Sequence, residues 1–277
     1  MRNLVITFTI LFSSVAAFAE TSDQYIHRSE FFFCNFNEGK SYADLLEEQA
    51  PYEDFLKEKG LQYNRINLLP IWDNDAEYDY VMWGNWPSGQ DQYKEWGAYM
   101  NDYPKWASDN DVPPQNVGDC AKGAVSMRFH SVLRLRIPME DRDERLFTDW
   151  RRCKLTEDAN VAELKALYAK QEKLAKDFGL NGYGVSFFTP YRGNQTGADW
   201  DFLMMTHWYN AESRMNMISS WAEFSDLLED SGIRKERSKH IESCSGADTY
   251  QAHMAVSYTH LRAHETKANL VCRLLLE

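Results

Sequence analysis

Hydrophobic and polar positions alternate between a period of two and a period of about 3.6 along this chain, and the same succession occurs twice. In the first copy an aromatic run predicts a strand over 29–36, and helical spacing follows from Tyr42 until Gly60. Strands are predicted over 61–69 and 78–86, a helix over 88–106 and a strand over 122–135. The order is therefore β-α-β-β-α-β.

The second copy repeats this order. We predict a strand over 147–155, a helix capped by Thr156, strands over 183–189 and 201–208, a helix capped by Asn210 and a closing strand over 250–255. The fold class is thus predicted to be α+β, with two tandem ferredoxin-like βαββαβ repeats over 20–140 and 141–255. Each repeat would form one sheet with helices outside, and we expect the two sheets to pack face to face.

Four cysteines, Cys34, Cys120, Cys153 and Cys244, stand at the ends of these predicted strands. Four cysteines allow three pairings. The repeat favours Cys34 with Cys120 and Cys153 with Cys244, because each copy should close its own bridge and because its first and fourth strands lie side by side. Zinc is the alternative, but no C-x-x-C or paired-histidine spacing supports a metal site.

Both ends of the chain are expected to lie outside the fold. Residues 1–19 combine Arg2 with an apolar run and end in Ala17-Phe18-Ala19, which indicates a cleaved signal peptide and a periplasmic or extracellular location; an uncleaved anchor is the alternative. Residues 256–277 resemble the translated read-through of a sequencing adapter. We interpret them as a non-native tail on a truncated gene, which removes Cys272 from the cysteine pattern.

The charge balance narrows the range of partners. The 277-residue chain has a formal net charge of −12, whereas nucleic acids and anionic membranes require a basic surface. We therefore expect a small molecule or a protein as partner, with no nucleic acid and no membrane once the signal peptide is removed.

The segment Cys34-Asn35-Phe36-Asn37-Glu38-Gly39-Lys40-Ser41 fits a C-x-[FL]-x-x-G-K-[ST] element. With the repeat, it resembles the dimeric α/β-barrel superfamily in a fused two-repeat form, and secreted bacterial proteins whose repeats begin with this element. The second copy, Cys153-Lys154-Leu155-Thr156, lacks the Gly and Lys. The resemblance implies a pseudo-dimeric α/β barrel, and a fused pseudo-dimer is expected to be a monomer or a weak homo-oligomer.

Candidate site residues lie where the copies differ. The third strands align Trp83-Gly84-Asn85-Trp86 with Met205-Thr206-His207-Trp208, so Asn85 in one copy becomes His207 in the other. Strand alternation places Trp83 and Asn85 on one face. Tyr191 and Arg192 follow the second strand of the second copy and could hold an anionic group. The structural alternatives are a hydrogen-bonded core histidine and a solvated arginine.

Two functions remain open. The first is a non-enzymatic module that binds a small apolar or aromatic ligand, or a protein partner, between its repeats, with Trp83, Asn85, Tyr191 and Arg192 as ligand-binding residues. The alternative is a barrel-type oxidoreductase or monooxygenase, cofactor-free or haem-dependent, with His207 as catalytic base or haem ligand. No cofactor is predicted for the first function, and the sequence leaves enzymatic activity undecided.

Overall fold

The computed structural model describes residues 27–72, 76–120, 124–193 and 199–257. The predicted signal peptide, the segments 73–75, 121–123 and 194–198 and most of the proposed tail lie outside these described residues. Val256 and Ser257, which we assigned to the tail, form the end of the last strand, and Val256 is buried.

The first half contains five strands and three helices. They are β1 (His27–Phe36), α1 (Tyr42–Lys59), β2 (Asn64–Trp72), β3 (Tyr80–Trp86), α2 (Gly89–Asn101), α3 (Tyr103–Asp109), β4 (Gly118–Asp119) and β5 (Ala124–Leu135). The single helix predicted over 88–106 is divided at Asp102, which caps both α2 and α3.

The second half follows the same order. Its elements are β6 (Arg145–Leu155), α4 (Val161–Asp177), β7 (Tyr183–Gly193), β8 (Phe202–Trp208), α5 (Ala211–Ser219), α6 (Trp221–Asp230), α7 (Ile233–Arg237), β9 (Ile241–Cys244) and β10 (Asp248–Ser257). A short 3₁₀ turn at Met139–Asp141 lies between the halves.

Eight strands close into one barrel in the order β10-β2-β3-β1-β5-β7-β8-β6, and β6 pairs with β10 to complete the ring. All of these pairings are antiparallel. We expected each half to form its own sheet, with the two sheets packed face to face. The structure does not have this arrangement. Instead, β5 joins β7 and β10 joins β2, because joining the edges leaves no strand of the ring with unpaired backbone groups.

Helix ends follow local side-chain chemistry. Ser41 and Asp44 form a reciprocal capping box at the start of α1, and Gly60 ends that helix in the left-handed region with φ of 61°. The predicted Thr156 cap is wrong. The cap of α4 is Asn160, whose Oδ1 accepts from the backbone N–H groups of Ala162 and Glu163, while the Thr156 hydroxyl donates to the Lys239 carbonyl.

Alternating strand positions divide the core into an interior layer and outer layers. Inside the barrel, the aromatic rings of Phe31, Trp83, Trp150 and Phe188 contact one another. Outside it, helices cover the strands, and separate hydrophobic clusters lie between them; the last strand of each half lies against the first helix of the other half, β5 against α4 and β10 against α1. The space between sheet and helices is where the main cavities are found.

Both disulfides join the first strand of a half to the segment that precedes its last strand. The Sγ atoms of Cys34 and Cys120 are 2.12 Å apart, and those of Cys153 and Cys244 are 2.05 Å apart. This is the pairing that the sequence favoured. The bridged cysteines are 86 and 91 residues apart in the sequence, and about 2 to 4 kcal/mol of stabilisation is typical of a disulfide.

Candidate ligand site on the second half

A cavity of about 560 Å³ lies between the outer face of β6, β7 and β8 and the helices α4 to α7. Apolar and aromatic side chains form most of its wall. They include Tyr168, Val185, Met204, Met217, Ile218 and Trp221. Concave sites of this size with a few polar groups are typical of small-molecule binding.

Two buried hydrogen-bond donors line this cavity without a partner. The Trp208 indole Nε1 and the Tyr183 hydroxyl make no hydrogen bond within the described part of the chain, although the residues are only 7% and 2% exposed. Burial raises the pKa of Tyr183 by more than the nearby Gln171 side chain lowers it, and the contact with Gln171 does not have hydrogen-bond geometry, so the hydroxyl stays protonated at neutral pH. Because buried polar groups are nearly always hydrogen-bonded in native proteins, these two donors call for an acceptor in the cavity.

Arginines supply positive charge around the same space. Arg214 lies 3.5 Å from the Asp149 carboxylate, and its guanidinium stands 5.0 Å from the Trp208 ring. Arg237 donates to the Gln171 side-chain oxygen at 3.1 Å, and Arg234 also lines the wall. Arg214 is paired with Asp149, and Arg234 with Glu229 at 3.5 Å, whereas Arg151 and Arg237 have no carboxylate partner among the described residues, so the cavity favours an anion.

The matching space on the first half is smaller and its donors are paired. It has a volume of about 280 Å³ and lies against the outer face of the first half's strands, facing α1 and α2. The Tyr52 hydroxyl donates to Glu95, and the Trp86 Nε1 donates to the same carboxylate at 3.2 Å. The Tyr63 hydroxyl accepts from Arg65 Nε at 3.0 Å.

Corresponding positions explain this difference. Trp86 and Trp208 each end the third strand of their half, Tyr63 immediately precedes the second strand of the first half, and Tyr183 begins that of the second half. Glu95 is the seventh residue after the cap Ser88, and Met217 is the seventh after the cap Asn210. A thioether at that position cannot accept as a carboxylate does, so the Trp208 N–H has no partner there.

Of the sequence candidates, His207 faces the barrel interior, on the same strand face as Met205. Its ring fits because the opposing residue, Gly184, has no Cβ: one placed there would lie 2.6 Å from the imidazole. Burial, helped by Arg134 and Arg142, lowers the pKa of His207 to about 4, so it is neutral at pH 7. Its Nδ1 is enclosed and makes no hydrogen bond to any described residue.

Trp83 and Asn85 also face the interior. The Trp83 Nε1 donates to the Ser29 hydroxyl at 3.1 Å, and that hydroxyl donates to the Asn85 side-chain oxygen at 3.2 Å. Both side chains therefore have partners within β1 and β3.

Tyr191 and Arg192 lie at a register shift between β5 and β7. The Tyr191 ring has the guanidinium of Arg28 at 4.2 Å and that of Arg128 at 5.2 Å. Arg192 is exposed and lines a separate cavity on the first half. The structure thus brings Trp83, Asn85 and His207 to the interior and leaves Tyr191 and Arg192 outside, so the five candidates do not form one site.

The space between the halves contains a cavity of about 310 Å³ at one end of the barrel, lined by residues that include Phe33, Trp150 and Trp200. Its polar groups have partners: the Tyr78 and Tyr250 hydroxyls are 2.6 Å apart, and Trp150 Nε1 donates to Thr148 at 3.0 Å. Aromatic rings fill the barrel beyond it. This cavity fits the apolar ligand expected between the repeats, but it offers no unpartnered donor to select one.

Haem ligation by His207 does not fit these residues. The imidazole lies on the inner face of β8, whereas the 560 Å³ cavity lies on the outer face and has no histidine among its lining residues. None of the four cavities described here is lined by His207. No group of three or more metal-ligating side chains occurs among residues 27–72, 76–120, 124–193 and 199–257.

No protein-family profile and no curated relative matches the sequence. Among solved structures, the chain is similar to an anthrone oxidase-like protein, with 14% identity, a TM-score of 0.47 and coverage of 84% of this chain and 94% of that one. It is also similar to a variant of chlorite dismutase from Candidatus Nitrospira defluvii, with 9% identity, a TM-score of 0.44 and coverage of 83% and 92%. At these values the likeness says nothing about residues or activity. Within the described ranges, no helix has the length and apolar character needed to span a membrane.

Proposed function

We propose that this protein is a small-molecule binding protein built from two tandem ferredoxin-like repeats, and that its second half binds an organic anion with an apolar or aromatic body. The observation that carries this proposal is the pair of unpartnered donors, Trp208 Nε1 and Tyr183 Oη, in the largest cavity described. A ligand acceptor beside them would remove the penalty of about 1 to 3 kcal/mol that each buried, unsatisfied group carries.

The surrounding groups narrow the ligand class. Arg214, Arg234 and Arg237 favour a negatively charged acceptor such as a carboxylate. Met217, Ile218 and Trp221 on α5 and α6 offer an apolar surface for the rest of the molecule. An aryl or alkyl carboxylate satisfies both requirements.

The test uses 3-phenylpropanoate as probe and 3-phenylpropan-1-ol as its uncharged counterpart, with binding measured by isothermal titration calorimetry. We expect the acid to bind more tightly than the alcohol. Trp208→Phe should weaken the acid about tenfold, because it removes one donor and keeps a ring. The matched variant Trp86→Phe, on the first half, should leave this affinity unchanged. Equal binding of acid and alcohol, or no effect of Trp208→Phe, would contradict the proposal.

One observation favours an enzyme as the second candidate. His207 is neutral at pH 7 and its Nδ1 makes no hydrogen bond to a described residue, so this nitrogen can accept a proton from a substrate, with a basicity reduced by the pKa of about 4. Reaction at Nδ1 would require a substrate within the barrel, beside the aromatic cluster. Histidine ¹⁵N signals recorded during the 3-phenylpropanoate titration separate the two functions: an unchanged His207 signal supports binding alone, and a large shift supports the enzyme.

We further propose that residues 1–19 direct export to the periplasm or beyond, and that the released protein acts as a monomer or weak homo-oligomer. The two disulfides suit an oxidising compartment. Expression of the full chain followed by mass spectrometry of the secreted fraction should give an N-terminus at Glu20. Retention of the uncleaved chain in the membrane fraction would contradict this.

A further inference from the structure

The cavity that Arg192 lines, of about 260 Å³, lies on the first half between α2, the outer faces of β1 and β5, and the end of β7. Glu30, Gln92 and Ser126 line it together with the apolar side chains of Phe32 and Trp96. It takes no part in the anion site, which lies on the other half. Its polar groups have the opposite hydrogen-bonding character.

Three buried atoms around this cavity have no partner in the described residues: Glu30 Oε2, Gln92 Oε1 and Ser126 Oγ. The side chains are 8%, 3% and 9% exposed. Gln92 uses its amide nitrogen to donate to Glu30 Oε1 at 2.6 Å, which leaves its oxygen free. The Gln92 oxygen can only accept, the Glu30 oxygen can only accept while the carboxyl group is ionised, and the Ser126 hydroxyl can also accept. A donor with several N–H groups would satisfy all three atoms.

The corresponding group on the second half is complete. By strand pairing, Glu30 lies opposite Ser126 as Asp149 lies opposite Thr249. Gln92 is the fourth residue after its helix cap, as is Arg214. There, Thr249 Oγ1 donates to Asp149 at 2.8 Å, and Arg214 stands beside the same carboxylate.

The second half therefore supplies its own cation, while the first half has a neutral glutamine at that position. We propose that the first-half cavity binds the primary ammonium group of a small organic cation, with Glu30, Gln92 and Ser126 as acceptors and Phe32 and Trp96 against the organic stem. A cation over an indole face adds a further attraction. This proposal does not depend on the anion site of the second half.

The pKa of Glu30 is raised, as is expected of a buried carboxylate with no cation beside it. This pKa is raised to about 7, because burial and the neighbouring Glu95 raise it by more than the hydrogen-bonding contacts of the Gln92 and Trp96 side chains lower it. Arg192 is the opposing charge, because it lines the same cavity from β7. It is exposed and lies 5.9 Å from the Tyr93 ring, at the mouth.

An organic ammonium suits the site better than a metal ion. One carboxylate, one amide oxygen and one hydroxyl give few oxygen ligands, whereas hard divalent cations prefer six or more. The apolar wall formed by Phe32, Val125 and Trp96 would have no role around a hydrated ion. It can contact the hydrocarbon part of an amine.

The experiment is a calorimetric titration of the full chain at pH 8 with phenethylamine and with phenethyltrimethylammonium, which keeps the charge and loses the N–H donors. We expect phenethylamine to bind and the quaternary analogue to be at least about tenfold weaker. Glu30→Gln should weaken phenethylamine about tenfold or more. Gln92→Arg, which reproduces the second half, should abolish binding. The exposed-surface control Asp177→Asn should change nothing.

Arg192 gives a test of orientation. Arg192→Gln should strengthen phenethylamine, by removing a like charge, and weaken phenylalanine, whose carboxylate would face this arginine. Absence of phenethylamine binding at millimolar concentration, or equal affinity in the wild type and Glu30→Gln, would overturn the proposal. Thermal unfolding of each variant shows whether it is folded, and Gln92→Arg offers an independent reading if Glu30→Gln is not. Because 3-phenylpropanoate and Trp208→Phe report on the other half, failure of one site is distinguishable from failure of the other.

Discussion

The two halves of this barrel complete opposite parts of the same polar arrangement. In the first half the Tyr52 and Trp86 donors are paired with Glu95, and the Tyr63 hydroxyl accepts from Arg65, while the carboxylate group around Glu30 is open. In the second half the carboxylate group around Asp149 is closed, while the Trp208 and Tyr183 donors are open. The first half thus has acceptors that are open to a donor group of a ligand, and the second half has donors that are open to an acceptor group.

Few residues produce this crossed pattern. Exchange of Glu95 for Met217 opens the donors, and exchange of Gln92 for Arg214 closes the carboxylate. The cavity facing the open donors is also the larger, about 560 Å³ against about 280 Å³. The difference teaches that ligand charge on this fold depends on side chains of the helix after the third strand, while strand order is unchanged.

Glu95→Met is expected to have the largest effect, since it gives the first half the residue of the second. It leaves the buried Tyr52 hydroxyl and Trp86 N–H without their acceptor. We expect the free energy of unfolding to fall by about 4 kcal/mol, from two buried unsatisfied groups. Urea unfolding followed by circular dichroism measures it.

The control is Met217→Leu at the corresponding position, which should cost less than about 1.5 kcal/mol as a conservative apolar change. If Glu95→Met were as mild as Met217→Leu, the pairing of the first-half donors would have no energetic importance. The comparison between the halves would then rest on cavity size alone.

The raised pKa of Glu30, in the first half, predicts that the free energy of unfolding depends on pH. The pKa of this side chain is raised to about 7 by burial, so the folded state holds the proton more tightly than the unfolded chain. The associated stability is complete below the unfolded pKa of about 4.5 and is lost as the pH rises through about 7. Between pH 5 and pH 8 the wild type should lose up to about 3 kcal/mol relative to Glu30→Gln.

Unfolding free energies of both proteins at the two pH values test this. The variant is required because His207 acts in the opposite direction: its lowered pKa makes stability fall as the pH drops from about 6.5 towards about 4. Parallel pH profiles for wild type and Glu30→Gln would mean that Glu30 is ionised in the folded protein throughout this range.

The sequence predicts most of the succession of strands and helices along the chain, the cysteine pairs and the faces of β3 and β8, because they follow from period-two alternation and from the repeat. It predicts the site less well. The asymmetry of Asn85 and His207 drew attention to the third strands, but the open donor is the next residue, Trp208, on the opposite face. A shift of one residue changes the face of a strand from the interior to the helices.

The rest could not be predicted because it depends on relations between elements. Trp86 and Trp208 are alike in sequence context, and what separates them is whether a helix seven positions past its cap presents a carboxylate or a thioether. The joining of β5 to β7 likewise depends on barrel closure, which no local pattern encodes. The cap of α4 is a further example. Both Thr156 and Asn160 are residue types that cap helices, and the observed start of α4 makes Asn160 the cap.

The most direct comparison between the halves, Trp86→Phe against Trp208→Phe, is also the one with the smallest expected effect. Both changes remove one indole N–H from the end of a third strand and keep an aromatic ring. Trp86→Phe removes a donor to the buried Glu95 carboxylate and should cost about 1.5 to 3 kcal/mol. Trp208→Phe removes a donor that has no partner in the described chain, so the ring volume lost is offset by relief of an unsatisfied group, and we expect a change of about 0.5 kcal/mol or less. The two urea curves should therefore separate in the absence of ligand.

Saturating 3-phenylpropanoate should reduce the difference in unfolding free energy between the two variants, because the wild type and Trp86→Phe gain binding stabilisation that Trp208→Phe largely loses. Equal losses for both variants without ligand would mean that Trp208 has a bonding partner, and the second half would then be as closed as the first.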